Sequence, residues 1–451
     1  MIHVQWPCPC ESLFIRGPLS VLVRVHPRLD FSRCPSVAYN DRMALIHPFR
    51  ALRPAPDKAA AVSSVPYDVV TTNEARELAA ENPLSFLHVT RAEIDLPPGT
   101  DPYSPQVYEQ AKANFATLRQ RAPLVLDETP SLYFYRLRMG AHEQTGIAGC
   151  FALDEYDSDI IKKHERTRRD KEDDRTRHMV ELRAQTGVVF LTYRADRAVD
   201  TLARQVIAGE PLYDVTAPDG VRHTIWRAGL EHTRSLVDAF QAIPALYIAD
   251  GHHRAASAAR ARDELANRAG STSDEAGADT FIAVAFPDDQ VQILAYNRSI
   301  KDLGGRTARQ FLGALRAQFR VTDGAPTPER QGEVSMYLDG RWYAIDLTSV
   351  APADGSRGSS LDVSRLQRGV LEDLLNIGDV RTDKRIDFIG GARGSNALMR
   401  AVDSGDAAVA FSMFPVTVSD LMAIADDGGI MPPKSTWFEP KLRDGLLVHL
   451  I

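Results

Sequence analysis

Three stretches of the chain predict a mixed α/β fold. Ala245-Leu246-Tyr247-Ile248-Ala249 is a short apolar run that breaks at Asp250-Gly251 and passes into an alanine-rich stretch of strong helix formers ending near Asn267, which reads as strand, tight turn, helix. Leu132 to Arg138 and Thr145 to Leu153 alternate as strands with Gly140 between them, the pattern of a hairpin. Ahead of the Asp-Gly turn, strand-like Thr186 to Tyr193, a helix over Leu202 to Ala208, a strand over Val221 to Trp226 and a helix over Leu230 to Ala242 follow in alternation.

The flanking stretches extend the pattern. Ile46 to Pro54 reads as a short strand with two arginines, Asn73 to Ala80 as a helix stopped by Asn82-Pro83, Ser85 to Thr90 as a strand, and Tyr108 to Arg119 as a helix with a core-facing stripe. Phe281 to Phe286 and Val291 to Tyr296 are expected to form a second hairpin around Pro287-Asp288-Asp289. Beyond it the order is helix over Thr307 to Phe319, strands over Ser335 to Leu338 and Trp342 to Leu347, a linker or lid over Pro352 to Ser360, and a helix over Val363 to Leu375. Helices over Leu398 to Ser404 and Val418 to Asp426 then flank a strand over Ala407 to Phe411. Gly270 to Ala278, rich in serine, glycine and acid, reads as a surface loop.

Length and composition bound the function. At 451 residues the chain exceeds what one core serves. The division expected is an extension over 1–42, an α/β portion over 43–350, and a C-terminal segment over 351–451 that closes the site. A net charge of −7 argues against bulk nucleic-acid binding, which needs a basic surface. No run approaches the roughly 18 apolar residues of a membrane span, and no small-residue cleavage site follows an apolar core, so a cytoplasmic location is expected. Cys8, Cys10 and Cys34 lack a fourth ligand and the usual spacing of a zinc site and read as incidental thiols.

The chemistry-bearing residues concentrate at the Asp-Gly turn. The first amides of a helix have no intrahelical partner and the helix dipole places partial positive charge there, so Gly251-His252-His253-Arg254 suits an anion, with Arg254 adding a planar donor fork. Gly251 permits a positive φ or close backbone approach, and Asp250 has two uses in such a turn, capping the helix or holding a metal. Upstream lies the most charged part of the chain, Lys162 to His178, with eight Lys or Arg and five Asp or Glu. Part of it fits a solvated helix laced with ion pairs, while His164-Glu165 at its start and Arg166, Arg168 and Arg175 along it are what a phosphate or nucleotide site uses. Two later clusters stand out: Arg381-Thr382-Asp383, and Met431-Pro432-Pro433-Lys434-Ser435-Thr436-Trp437. Trp437 either pins its loop to the core or joins Lys434, Ser435 and Arg381 against a substrate. No Gly-x-x-x-x-Gly-Lys-Ser/Thr loop occurs, so a nucleotide site here is not of the P-loop kind.

Tyr247-Ile248-Ala249-Asp250-Gly251-His252-His253-Arg254 resembles the phosphate-binding turn of the ParB/sulfiredoxin-like superfamily, and most closely that of ADP-dependent free L-serine kinases. Those kinases carry a His-Glu pair after a strand whose glutamate is the general base for the serine hydroxyl, and His164-Glu165 matches it. The chain from about Met43 to Ile451 also resembles the domain of unknown function 1015 family. It does so through Pro48 to Pro54, Pro66-Tyr67-Asp68-Val69-Val70, Lys163 to His178, the Asp-Gly-His-His-Arg turn, Arg381 to Asp383 and Met431 to Trp437.

The resemblance implies a ParB/sulfiredoxin-like core in a larger chain and a phosphotransferase acting on a small hydroxylated metabolite. It implies ADP or ATP and Mg²⁺ as cofactors, Glu165 as base with His164 beside it, and Asp250 as metal ligand. Competing readings are a ParB-like nucleotide-dependent binding or regulatory protein and a phosphoserine phosphatase. A small-molecule partner is expected, nucleic acid and membrane are not, and self-association stays open.

Overall fold

The computed structural model describes residues 44–269 and 277–451. The segment expected as an extension, with its three cysteines, and most of the loop after Ala269 lie outside the described residues.

A nine-stranded mixed sheet carries the site. In spatial order it runs Ile161–Lys162, Leu246–Asp250, Val189–Tyr193, Thr280–Pro287, His142–Ala152, Tyr133–Met139, Arg222–Arg227 and Tyr213–Thr216, with Ile46–His47 also pairing to His142–Ala152. The predicted hairpin is present, with Tyr133–Met139 antiparallel to His142–Ala152. Its neighbours towards the site mix directions: Leu246–Asp250 is parallel to Ile161–Lys162, and Thr280–Pro287 is parallel to Val189–Tyr193. Every residue of Val189–Tyr193 is buried, as befits a strand covered on both faces. Phe190 stacks on Phe286 with ring centroids 4.4 Å apart and meets Phe438 at 5.5 Å, so the end of the chain packs into the core of this sheet.

A second sheet, of six strands, takes the order Arg320–Asp323, Arg341–Asp346, Glu333–Leu338, Val409–Ser412, Tyr296–Ile300, Ile386–Gly390. Its strands come from both sides of residue 350.

Two expectations are corrected. Ser85 to Thr90 is not a strand: Leu87–Thr90 is a short helix. Phe86, Leu87, Val89 and Thr90 are all buried, and Phe86 meets Phe115 of the helix Pro105–Arg121 edge to face at 6.4 Å. The alternating pattern concealed apolar groups at helical spacing that neighbouring helices bury. Nor do Phe281 to Phe286 and Val291 to Tyr296 form a hairpin. Both edges of Thr280–Pro287 are already taken, by His142–Ala152 and Val189–Tyr193. The chain beyond it leaves the sheet, pairs Ile293–Leu294 with Trp437–Phe438, and enters the second sheet at Tyr296.

Candidate functional site

Two neighbouring parallel strands bring the predicted motifs together. Leu246 pairs with Ile161 and Tyr247 with Lys162, so the two strands leave the sheet side by side. The loop beyond one holds Lys163-His164-Glu165, and the turn beyond the other holds Asp250-Gly251-His252. Crevices at the carboxyl ends of such strands are where α/β sheets bind ligands. Gly251 has φ +97°, and a Cβ there would lie 3.4 Å from the Cα of Val189, so the turn hugs the adjacent strand. The Ala255 amide donates to the Gly251 carbonyl at 3.0 Å, and the helix His252–Ala269 starts on that bond.

Though His252 lies more than 80 positions along the chain from the adjacent pair His164 and Glu165, the three offer one ligand atom each within 4.8 Å of one another. The two imidazole rings meet edge to face, centroids 4.5 Å apart and planes at 90°. The His164 amide donates to His252 Nε2 at 3.5 Å. Both histidines are buried, and apart from a loosely placed Ile248 carbonyl neither ring nitrogen of His164 meets a hydrogen-bond partner among the described residues. Burial pushes the His164 imidazole down to about 4, with Asp250 opposing. Burial and the proximity of His164 push His252 well below its ordinary value, so both rings are neutral at pH 7. Burial raises the Glu165 carboxyl, opposed by Lys434 and reinforced by Asp250.

Asp250 and Arg254 are each tied down. Asp250 Oδ2 accepts from Lys441 Nζ at 3.0 Å. Burial would raise this carboxyl, yet Lys441 and Arg254 together hold it well below the usual carboxylate range. Arg254, 3% exposed, donates through Nη1 to the Val188 carbonyl at 2.8 Å and through Nη2 to Asp68 at 2.7 Å. Its Nε has no partner. Asp68 follows Tyr67, whose ring lies beneath two guanidinium groups, Arg175 at 4.1 Å and Arg254 at 5.6 Å. Buried Asp444 completes this group; burial pushes its carboxyl up to about 7 despite the pull of Arg254.

The C-terminal loop docks directly on the cluster, with the Met431 amide donating to the His164 carbonyl at 2.8 Å. Lys434 adopts φ +57°, and its carbonyl accepts from Arg298 at 3.0 Å. Its ammonium, 5.4 Å from the Tyr296 ring, is raised because Tyr296, Glu165 and Asp68 outweigh its desolvation. Ser435 is buried and donates to the Pro432 carbonyl at 2.6 Å, which shapes the loop. Trp437 packs against Tyr296 at 5.0 Å and under Lys441 at 4.6 Å, so it both pins the loop and seats a lysine.

The remaining predicted residues fall outside this centre or support it. His253 Nε2 accepts from the Arg168 amide at 3.0 Å, which joins the turn to the start of the helix Arg169–Leu182. Arg168 pairs with Asp170 at the surface at 2.7 Å, and Arg175 pairs with Asp174 at 2.8 Å beside Tyr67. Arg166 is exposed and makes no hydrogen bond or ion pair among the described residues. Arg381 binds Asp379 two positions earlier and contributes no contact to the cluster. Sequence reasoning gave no site role to Asp68, Lys441 or Asp444. Asp68 was signalled by the Pro-Tyr-Asp-Val-Val turn, whereas nothing local marks Lys441 or Asp444.

A family profile described as "Protein of unknown function (DUF1015)" matches residues 46–364. The chain belongs to the DUF1015 family. No curated protein matches this DUF1015 chain. Among solved structures, it is similar to a conserved hypothetical protein from Pyrococcus furiosus, with 15% identity over 67% of this chain and 95% of that one, TM-score 0.34. A free serine kinase in complex with AMP shares 14% identity over 67% and 92%, TM-score 0.35. SbnI with a C-terminal truncation from Staphylococcus aureus shares 11% over 67% and 87%, TM-score 0.35. Scores of this size establish neither a common topology nor a common activity. No helix among the described residues is long and apolar enough to cross a membrane.

Proposed function

We propose that this DUF1015 protein is a phosphotransferase that passes a phosphoryl group between a nucleotide and the hydroxyl of a small metabolite, with free L-serine and phosphoserine as the leading pair. The observation that carries the reading is the meeting of Glu165 with His252 at the start of the helix His252–Ala269, across two parallel strands. Phosphoryl transfer asks for donors and positive charge around the phosphoryl oxygens and for a group that orients or deprotonates the acceptor. The free amides at the helix start suit the first task, with Lys434 and Lys441 close by. Glu165, whose carboxyl burial raises, suits the second, since a carboxylate within reach of the hydroxyl can accept its proton. Arg254 holds the turn from beneath through Asp68 and Val188.

Asp250 fits Mg²⁺, an ion commonly held by one or two carboxylates and substrate phosphates. When bound, Mg²⁺ would neutralise charge on the transferring group. The nucleotide, ADP or ATP, belongs to the same reading; a free serine kinase has been crystallised with AMP and with ADP.

Phosphorus NMR of the protein with Mg²⁺, a nucleotide panel and serine or phosphoserine tests the proposal. Interconversion is expected, and Glu165→Gln is expected to slow it about 100-fold or more while nucleotide binding persists. No phosphoryl exchange with any pair, or full turnover in Glu165→Gln, would overturn it.

A further inference from the structure

We propose that His164, His252 and Glu165 form a binding site for one divalent first-row transition-metal ion, distinct from Mg²⁺ at Asp250; with that ion bound, Glu165 serves as its ligand rather than as a base. Two buried imidazoles and a carboxylate converge from loops on adjacent strands, with ligand atoms within 4.8 Å. Bonds to zinc of about 2.0–2.2 Å place neighbouring ligand atoms roughly 3.4 Å apart, and Glu165, half-buried where both histidines are buried, is the ligand whose rotation would close that difference.

A second observation points to a ligand. His164 is 1% exposed; the Ile248 carbonyl faces its ring too loosely for a well-aligned hydrogen bond, and no other group among the described residues meets Nδ1 or Nε2. With the Ile248 carbonyl facing one ring nitrogen, the other keeps a buried lone pair that no donor among the described residues meets. Packing against His252 explains where the ring sits, but not why the position carries an imidazole. A metal ion would satisfy the lone pair. The donor set decides the class of ion: imidazole nitrogen suits zinc, cobalt, nickel, copper and iron, whereas Mg²⁺ prefers oxygen throughout. Two histidines and one carboxylate occupy three positions and leave others open to a substrate oxygen.

The test uses the full-length protein without nucleotide or metabolite, so it stands apart from the phosphoryl-transfer reading. After dialysis against chelator, isothermal titration with Zn²⁺ is expected to show one ion per chain. His164→Gln, His252→Gln and Glu165→Gln should each weaken binding at least about tenfold, while His88→Gln, at a half-buried histidine that pairs with Asp95 and is not part of the cluster, leaves it unchanged. Circular dichroism melting of each variant without metal checks folding. Independently of any variant, proton NMR of the Co²⁺-loaded protein is expected to show paramagnetically shifted imidazole resonances from two histidines. Absence of Zn²⁺ uptake, affinity unchanged in the three ligand variants, or a Co²⁺ spectrum without shifted imidazole signals would each overturn the proposal.

Discussion

Two arginine–aspartate pairs of nearly equal length do different things in this molecule. Arg254 and Asp68 meet at 2.7 Å across 186 positions, with the arginine side chain 4% exposed. Arg381 and Asp379 meet at 2.8 Å across two positions, with side chains 61% and 42% exposed. In the second pair, water competes for both partners and the geometry follows from local sequence, so little free energy is held there. In the first, the guanidinium has left water, and its partners come from two separate segments, one holding Val188 and the other Asp68. Distance alone ranks the two together; burial and sequence separation distinguish a strut from a surface ornament.

The largest effect that would break this contrast is on folding. Asp68→Ala leaves the buried Arg254 without its main carboxylate and is expected to destabilise by about 3 kcal/mol in denaturant titration. A loss below about 1 kcal/mol would place the two pairs in one class.

The same buried group sharpens the contrast through pH. The Asp444 carboxyl titrates at about 7 in the folded protein and near 4 when unfolded, so between these values the folded state binds more protons and stability falls as pH rises. Glu155, also pushed up to about 7 by burial, acts in the same window with the same sign. Asp444→Asn is therefore expected to remove part of the decline, by at least about 1.4 kcal/mol, the worth of one pKa unit. Thermal melts from pH 4 to 8 would show it as a flatter profile than wild type, and an identical profile would contradict it.

At the turn itself, Lys441→Met leaves Asp250 without its ammonium partner and is expected to weaken binding of inorganic phosphate about tenfold, read by calorimetry. The smallest effect belongs to the exposed pair: Arg381→Ala should leave both the denaturation midpoint and phosphate affinity unchanged.

Local sequence carried much of the fold because strands, turns and caps are local. The strand, turn and helix around Asp250 lie where the apolar run, the glycine and the alanine-rich stretch put them. The helix Thr72–Ala79 opens with the Thr71–Glu74 capping box. What failed depended on partners far along the chain. Phe86 to Thr90 became helical because other helices bury it, and the strand after Asp289 had no free edge to fold back on. The site divides in the same way. Glu165 and His252 were identified by motif, but that they meet follows from a parallel pairing of Ile161–Lys162 with Leu246–Tyr247 that no residue type encodes. Lys441 and Asp444 were invisible because an isolated lysine or aspartate near a terminus has no local signature; only the packing of the last strand and loop gives them roles.

The stretch that marks the family ends at 364, whereas the backbone amide that fastens on His164, and the two ammonium groups beside the turn, lie at 431, 434 and 441. The crevice is therefore completed by a segment that lies beyond the profile match, and cutting the chain after residue 364 should bare the His164 carbonyl and strip both ammonium groups from the turn.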